Sequence, residues 1–430
     1  MKVCVYGLWH LGCVTAACLA SKGIEVIGLD PEDATVNNLN QGHAPIAEPG
    51  LDALIQENLQ KGQLTFSSDF ATALSEADLV WVTFDTPVDE EDNADTGFVL
   101  QKVEQTFPYL KQGSLVLLSS QVPVGSTNLL ENKLVESNGG KKAAFAYSPE
   151  NLRLGKAIEV FLNPGRFIVG VSDEESRNKI SNLLKPFDAP IIWMSIPSAE
   201  MTKHAINAFL ATSVTFINEI ASICEKVGAD AKEVERGLKS EPRIGPKAYV
   251  RAGAAFAGGT LARDVRFLTG LAKTNKIPSL LLDNIWSSNQ EHKTWLNRKL
   301  RDFYSDLSGK TVAILGLTYK PGTDTLRGST AVTLSKWLEK QGARVRAFDP
   351  AVTSLPRELE GTILLTGSEK EALKQSDVAI IATEWDQFQT LKPDTFISCM
   401  TRCLVLDPNR FLEENLDRHS DIEYFTVGKP

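Results

Sequence analysis

The stretch Lys2-Val3-Cys4-Val5-Tyr6-Gly7-Leu8-Trp9-His10-Leu11-Gly12 decides the fold of the first part of the chain. Residues 2–6 have the apolar, β-rich composition of a buried strand, and the two glycines bracket a turn that leads into a helical segment of small residues. A second β-rich segment follows over residues 25–29 and ends at Asp30. Strand, glycine turn, helix and strand in this order predict the βαβ unit that is typical of dinucleotide-binding domains.

The glycine turn departs from the dinucleotide fingerprint at one position. Gly7 and Gly12 occupy the outer glycine positions, and Asp30 follows Gly12 by 18 residues, which suits a hydrogen bond to an adenosine ribose hydroxyl. Trp9 stands where the second glycine normally leaves bare backbone for the pyrophosphate. A plain tight turn between a strand and a helix would use the same two glycines, so the motif alone leaves cofactor binding open.

Strand signals separated by helical patterns continue beyond the opening unit. They occur at residues 79–84, 115–119, 145–148 and 167–171, and they predict a mostly parallel sheet in a domain that covers residues 1–195.

The middle of the chain has a different periodicity. From residue 199 to 227 the apolar spacing changes to 3.6, and a second long helical pattern runs from Pro278 to about residue 307. We therefore predict a helical domain over residues 196–305.

The last part of the chain repeats the opening unit. A strand over residues 310–316 enters a second glycine turn, a helical segment follows, and a strand over residues 344–348 ends at Asp349. With further strand signals at residues 378–382 and 403–406, this pattern predicts an α/β domain over residues 306–430. The predicted fold class is α/β, with two Rossmann-like doubly wound domains joined by a helical core.

Composition excludes several classes of function. The 430 residues include 45 Lys and Arg against 54 Asp and Glu, and a net charge of −9 has the wrong sign for a nucleic-acid-binding surface. The N-terminus lacks the layout of a signal peptide and no run reaches about 18 apolar residues, so we expect a cytoplasmic protein without a membrane span. Neither the five histidines nor the cysteines have metal-site spacing, and we predict no metal. The cysteines are predicted to be reduced packing residues: Cys4, Cys13, Cys18, Cys224, Cys399 and Cys403.

Short motifs follow one another along almost the whole chain in the order known from one enzyme family. The chain resembles the UDP-glucose/GDP-mannose dehydrogenase family in the following segments: Asn40-Gln41-Gly42, Pro45, Glu48-Pro49-Gly50-Leu51, Thr86-Pro87 with Asp95, Val122-Pro123-Val124-Gly125-Ser126, Ser148-Pro149-Glu150, Lys203 with Asn207, Asn218-Glu219, Arg243-Ile244-Gly245, Gly316-Leu317-Thr318-Tyr319-Lys320-Pro321, Thr323-Asp324, Arg327, Phe348-Asp349-Pro350 and Thr383-Glu384-Trp385. The resemblance implies an N-terminal NAD domain, a helical dimerisation core and a C-terminal domain that helps to bind a nucleotide sugar. It therefore implies a homodimer with NAD as cofactor.

The resemblance also implies a chemistry that this sequence alters. Family members oxidise a sugar primary alcohol to a carboxylate in two hydride transfers, and a cysteine thiolate holds the intermediate aldehyde. Thr260 occupies the cysteine position in the segment Phe256-Ala257-Gly258-Gly259-Thr260-Leu261-Ala262-Arg263-Asp264. Gln121 replaces a threonine and Leu154 an acidic residue, both expected near the hydrolytic water. The residues for the second oxidation are therefore selectively changed.

The residues for a first oxidation remain. Lys203 and Asn207 are four apart on a predicted helix, so their side chains can converge on one oxygen and stabilise a developing alkoxide. Asp264 is predicted to accept the proton, directly or through water, with assistance from Glu150. A solvated helix face is the ordinary alternative for the first two residues.

The resemblance carries further site residues onto this sequence. Those implied to contact the cofactor are Gly7, Trp9, His10, Leu11, Gly12, Asp30, Thr86, Gln121, Arg263 and Arg327. Those implied to contact the nucleotide sugar are Glu150, Leu152, Arg153, Lys203, Arg243, Phe256, Gly259 and Lys320.

Three functions are compatible with this sequence. The leading hypothesis is an NAD-dependent oxidoreductase acting on a nucleotide-sugar hydroxyl, in a single two-electron oxidation or an epimerase-like cycle. The alternatives are a non-catalytic nucleotide-sugar-binding or regulatory homologue, and a full dehydrogenase that uses Thr260 or a hydrated aldehyde.

Overall fold

The computed structural model describes residues 1–87, 95–138, 143–150, 152–257 and 259–430. The chain divides into two compact units, Met1–Ile206 and Asn207–Pro430. The division falls within one long helix, Ile196–Val227.

The first unit alternates strands and helices within its described residues. The strands are β1 (Lys2–Tyr6), β2 (Glu25–Leu29), β3 (Leu64–Ser67), β4 (Leu79–Val82), β5 (Ser114–Leu118), β6 (Ala143–Tyr147), β7 (Phe167–Gly170) and β8 (Ile191–Met194). The helices are α1 (His10–Ser21), α2 (Asp33–Asn40), α3 (Leu51–Gln60), α4 (Phe70–Leu74), α5 (Thr96–Thr106), α6 (Ser126–Asn138), α7 (Ala157–Leu162), α8 (Glu174–Leu184) and the start of α9 (Ile196–Val227).

These strands form one sheet in the order β3-β2-β1-β4-β5-β6-β7-β8. All pairs are parallel except β6 and β7, so the predicted mostly parallel sheet is confirmed. Val3 and Val5 pack in one apolar cluster and Cys4 and Tyr6 in another, because alternate residues of a strand face opposite sides of the sheet. The chain reverses its winding between β1 and β4, which is where doubly wound folds bind ligands.

The second unit contains the rest of α9, a helical part and a second sheet. Its other elements are α10 (Ala231–Ser240), α11 (Thr260–Thr274), α12 (Leu280–Lys293), α13 (Trp295–Phe303), β9 (Thr311–Leu315), α14 (Thr330–Lys340), β10 (Arg344–Phe348), β11 (Ile363–Leu365), α15 (Glu369–Leu373), β12 (Val378–Ile381), α16 (Pro393–Cys399), β13 (Leu404–Leu406), α17 (Glu413–Leu416) and β14 (Glu423–Phe425). The helical pattern predicted from Pro278 to about residue 307 corresponds to two helices, α12 and α13, which are separated at Thr294.

The second sheet repeats strands β1 to β6 of the first sheet in order and direction. Its strands follow the order β11-β10-β9-β12-β13-β14 and all pairs are parallel. Val312 and Ile314 face one apolar cluster while Ala313 and Leu315 face the other. Two doubly wound sheets and an intervening helical region confirm the predicted fold class.

Among the described residues, one helix is long and apolar enough by composition to cross a membrane. This is α9, with a mean hydropathy of 1.3 in its most apolar window. Buried core helices have the same composition, and α9 carries fully buried polar groups. Glu200 is 0% exposed, and in the first unit its carboxylate accepts hydrogen bonds from the backbone N–H groups of Gly125 and Thr127. Such groups are expensive to place in lipid, so the composition of α9 is weak evidence for a span.

Candidate active site

The turn between β1 and α1 has the tight geometry that its two glycines require. Gly7 has a φ of 101°, and a Cβ on Gly12 would lie 1.9 Å from the Gly7 carbonyl oxygen. The Thr83 hydroxyl, just after β4, donates to that same carbonyl at 2.8 Å. Trp9 has a φ of −97°, an extended conformation open to any residue, and its side chain is 50% exposed. The missing second glycine therefore does not strain the turn.

The N-terminus of α1 is suited to an anion. Trp9 is its N-cap residue and gives no side-chain capping bond, and the first turn has no acidic residue. In the matching position of the second unit, the Ser329 hydroxyl accepts hydrogen bonds from the N–H groups of Ala331 and Val332 and caps α14. Free N–H groups at a helix N-terminus bind phosphate groups. The dinucleotide pyrophosphate therefore fits α1, whereas α14 is closed by its own side chain.

The Asp30 carboxylate stabilises the turn between β1 and α1 through backbone hydrogen bonds. It accepts a hydrogen bond from the Leu8 N–H at 2.8 Å and another from the Glu32 N–H at 3.0 Å. Asp349 does the same for Leu317 in the second unit, at 2.7 Å. An ionised carboxylate has about four acceptor sites, so Asp30 can hold the turn and still accept from a ribose hydroxyl.

Two predicted cofactor residues meet at the ends of neighbouring strands. The Thr86 hydroxyl donates to the Gln121 carbonyl at 2.5 Å, and both side chains are buried. Thr86 follows β4 and Gln121 follows β5, so the pair lies at the carboxyl edge of the first sheet.

Lys203 and Glu150 also come together within the first unit. The Lys203 ammonium donates to the Glu150 carbonyl at 2.5 Å and lies 3.3 Å from one carboxylate oxygen. The other carboxylate oxygen accepts from the Leu152 N–H at 2.7 Å. Glu150 and Leu152 line a cavity of about 60 Å³ together with Leu11 of α1. The Lys203 side chain is only 7% exposed and its ammonium contacts Glu150, so a plain solvated helix face is excluded for this residue.

The second unit holds the Asn207 and Asp264 pair. The Asn207 amide donates to the Asp264 carboxylate, and Asp264 is fully buried. Asp264 lies on the first turns of α11, whose first residue is Thr260 and whose N-cap is Gly259, with a φ of 93°. Lys203 and Asn207 are one turn apart along α9.

Thr260 is exposed and is the first residue of α11. The positive end of the helix dipole would lower the pKa of a cysteine thiol at this position. It has little effect on the ionisation of a threonine hydroxyl. Cys4, Cys13, Cys18 and Cys224 are buried, and burial raises the pKa of the Cys18 thiol to about 12. They are packing residues as predicted, while Cys399 and Cys403 are half-buried at the second sheet.

The remaining predicted substrate residues are more dispersed. Arg243 is exposed and pairs with Glu241 at 2.7 Å, and Lys320 stacks on the Tyr319 ring. Arg153 and Arg327 are exposed, and Arg263 is half-buried on α11. Among the described residues, no group of three or more His, Cys, Asp or Glu is placed to hold a metal ion.

The sequence did not reveal a polar pocket of about 320 Å³ in the second unit. Phe256, which was predicted to contact substrate, is part of its lining, and the Arg251 guanidinium lies 3.3 Å from the Glu384 carboxylate in its wall. Burial raises the pKa of Glu384, although the neighbouring Arg251 opposes this. The other polar lining residues are Lys239, Tyr249 and Asn409. Glu384 follows β12 at the carboxyl edge of its sheet, where doubly wound domains bind ligands. This position in the sequence was the feature that could have predicted the pocket.

The doubly wound sheet of the first unit, with the open N-terminus of α1 after β1, has the architecture of a dinucleotide-binding domain. Comparison with known proteins gives the family. The NAD-binding, central and UDP-binding domains of the UDP-glucose/GDP-mannose dehydrogenase family match residues 1–188, 197–291 and 313–414. The chain belongs to this family, its cofactor is NAD, and it is a nucleotide-sugar dehydrogenase that acts on a CH–OH group.

Individual relatives are similar over their whole length. The chain is 33% identical to a UDP-glucose 6-dehydrogenase of Rhizobium meliloti, covering 100% of both chains, and 34% identical to one of Pseudomonas aeruginosa, covering 100% and 98%. A solved UDP-glucose dehydrogenase from Pyrobaculum islandicum superposes with a TM-score of 0.88 at 28% identity, over 100% of this chain and 98% of that one.

Proposed function

We propose that the protein oxidises a hydroxyl of a UDP-sugar with NAD and that the carbonyl product is never bound covalently to the enzyme. This product is either released or reduced again. The observation that carries this proposal is the buried Asn207–Asp264 pair, in which Asn207 lies on α9 and Asp264 on α11, the helix that begins with Thr260. The sequence therefore keeps Asn207 and Asp264, which are needed to remove a proton, although Thr260 replaces the nucleophilic cysteine. The UDP-binding domain match and the names of the relatives support a UDP-sugar.

Each polar group has a role in the proposed first oxidation. NAD supplies the hydride acceptor. Asp264, directly or through a water, accepts the hydroxyl proton, and Asn207 holds its carboxylate in place. The Lys203 ammonium stabilises the oxygen as it becomes an alkoxide. Glu150 orients Lys203 through the carbonyl and carboxylate contacts and assists the proton transfer.

The second oxidation lacks its usual groups. A thiohemiacetal needs a thiolate, and the Thr260 hydroxyl is far less ionised than a thiol at neutral pH. Leu154 supplies no carboxylate for activating a hydrolytic water. We therefore propose one two-electron oxidation, either released as a carbonyl product or followed by reduction in an epimerase-like cycle.

The proposal is tested by identifying the products that the protein forms from a panel of nucleotide sugars. Purified protein is incubated with UDP-, GDP- and dTDP-sugars and NAD, and both NADH and product mass are followed. One NADH with a product two hydrogens lighter indicates a single oxidation, whereas an isomer without net NADH indicates epimerisation. Two NADH per uronate would instead support a full dehydrogenase that uses Thr260 or a hydrated aldehyde. Turnover of no sugar would refute the proposal.

A non-catalytic nucleotide-sugar-binding homologue is the competing function, because Trp9 replaces the second glycine of the fingerprint. Calorimetry separates the two. The competing function would be favoured if the protein binds the sugar nucleotide but binds neither NAD nor NADP, whether the sugar nucleotide is present or absent.

A further inference from the structure

A histidine in the phosphate turn is held by a buried carboxylate. His10 is the first residue of α1, and its Nε2 lies 2.9 Å from a carboxylate oxygen of Glu48. The Glu48 side chain is 1% exposed and the His10 side chain 16%. The two side chains are therefore fixed against each other beside the free N-terminus of α1.

The hydrogen bonds of Glu48 determine which ring nitrogen is the donor. Its carboxylate also accepts from the backbone N–H groups of Gly155 at 2.8 Å and Ala157 at 2.9 Å. Burial alone would raise the pKa of Glu48, but these two N–H groups and His10 outweigh burial and lower it. The carboxylate is thus ionised at neutral pH and can only accept, so Nε2–H of His10 is the donor. The Nδ1 atom is left to bind another group.

The imidazole of His10 belongs to the first turn of α1, where a bound pyrophosphate needs hydrogen-bond donors. Trp9 occupies the position at which a glycine would let a pyrophosphate approach the backbone closely, and it gives α1 no side-chain cap. In the first turn, the Cys13 thiol already donates to the Leu8 carbonyl, whereas His10 has a ring nitrogen outside its contact with Glu48. A protonated imidazole donates from Nδ1 while Nε2 stays bonded to Glu48.

We propose that His10, positioned by Glu48, donates from Nδ1 to the cofactor's pyrophosphate and so compensates for the missing second glycine. Glu48 is the positioning residue, and His10 is a ligand-binding residue. The same carboxylate holds the start of α7, which follows the loop that carries Glu150, so the pair also fixes the phosphate turn relative to that loop.

Binding of NADH, ADP-ribose and adenosine to single variants tests the proposal without any turnover. His10→Phe keeps a ring and removes the donor, and we expect it to weaken NADH and ADP-ribose about ten- to a hundredfold, the range for a lost charge-assisted hydrogen bond. Adenosine, which lacks the pyrophosphate, should bind equally well to both proteins. His43→Phe, an exposed histidine of the same unit, is the matched control and should leave all three affinities unchanged.

A double-mutant cycle tests the role of Glu48. Glu48→Gln should weaken NADH, and the loss in the double variant with His10→Phe should be clearly smaller than the product of the two single losses. Far-UV circular dichroism and thermal melting establish that each variant is folded. The proposal is overturned if folded His10→Phe binds NADH and ADP-ribose within twofold of the wild type, or if adenosine binding falls equally. Multiplicative losses in the cycle would remove Glu48 as the positioning residue. Since turnover is not measured, these outcomes are independent of the sugar chemistry proposed above.

Discussion

At the scale of single residues, the proposed chemistry rests on a carboxylate that is retained and a nucleophile that is not. Asp264 is fully buried and bonded to Asn207, while Thr260 begins the same helix and is exposed. A buried carboxylate keeps its orientation because its partner fixes it, which is a requirement for proton transfer in a defined geometry. The two residues therefore lead to opposite expectations on substitution.

Replacing Asp264 by asparagine removes the proposed proton acceptor at constant size. We expect Asp264→Asn to lower kcat by about 10²- to 10⁴-fold, the usual contribution of a general base, while the affinity for the sugar nucleotide stays within about threefold. Steady-state kinetics and calorimetry measure the two quantities. Asp302→Asn, on an exposed carboxylate of α13, is the control. An unchanged kcat in Asp264→Asn would remove this residue from the proposed mechanism.

Restoring the thiol should convert the product into a covalent adduct. In Thr260→Cys the new thiol lies at the N-terminus of α11, where the helix favours the thiolate. Attack on the aldehyde gives a thiohemiacetal, and transfer of its hydride to a second NAD gives a thioester. With leucine at position 154, hydrolysis should be slow, so intact-protein mass spectrometry should detect the thioester. Thr260→Ser is the control and should show no adduct. Rapid uronate formation by the wild type would contradict this reasoning.

At the scale of helices and strands, the two glycine turns show how one motif is adapted to different ligands. The carboxylates of Asp30 and Asp349 hold the two turns with equivalent hydrogen bonds. The helices differ in their caps: α14 is closed by the Ser329 hydroxyl and α1 is open. An open N-terminus costs stability in the free protein and is useful when an anion binds there.

Capping α1 should therefore exchange cofactor affinity for stability. Trp9→Asp introduces a strong N-cap, and because the tryptophan is half exposed its removal costs little burial. We expect the free protein to gain about 0.5–1 kcal/mol in unfolding free energy, measured by urea denaturation, and NADH binding to weaken at least tenfold through competition and charge repulsion.

The opposite change on the second sheet is the control. Ser329→Ala should cost about 1 kcal/mol of unfolding free energy and leave NADH affinity unaltered. If Trp9→Asp binds NADH as well as the wild type does, the N-terminus of α1 is not the pyrophosphate site.

The elements that could be predicted from the sequence are those with continuous apolar runs. The central strands β1, β4 and β5 are buried along almost their whole length, and their composition is unambiguous. β3 and β14 lie at the sheet edges with alternating or partial burial, and they gave no clear signal. The break at Thr294 was missed because no glycine or proline marks it.

The site was partly predictable for a similar reason. Lys203 and Asn207 are related by helical spacing within a few residues, so a pattern reveals them. The Arg251 and Glu384 contact joins segments more than a hundred residues apart and depends on how the second unit folds. The Glu48 and His10 contact is also long-range, and its motif gave no indication of a partner.

At the scale of the whole molecule, the described surface of α9 carries an apolar stripe that a monomer would expose to water. Phe209, Phe216 and Ile223 are 71%, 49% and 56% exposed, and they repeat every seven residues, so they share one face of the helix. Val227 continues the stripe at 70% exposure. Contiguous exposed apolar surface marks an interface. We propose that a second copy of the chain covers this stripe, as the family resemblance implies.

A charge placed in the stripe should separate the subunits. We expect the wild type to sediment as a dimer at micromolar concentration and Phe216→Asp as a monomer, because a carboxylate enclosed in an apolar interface has no partner to offset its desolvation. Leu364→Asp, which replaces a leucine that is 60% exposed on β11 in the same unit, should remain a dimer. Both variants add the same charge, so a difference between them is due to position. A dimeric Phe216→Asp, or a monomeric wild type, would show that α9 does not form the interface, and the stripe would then have to be covered by another partner.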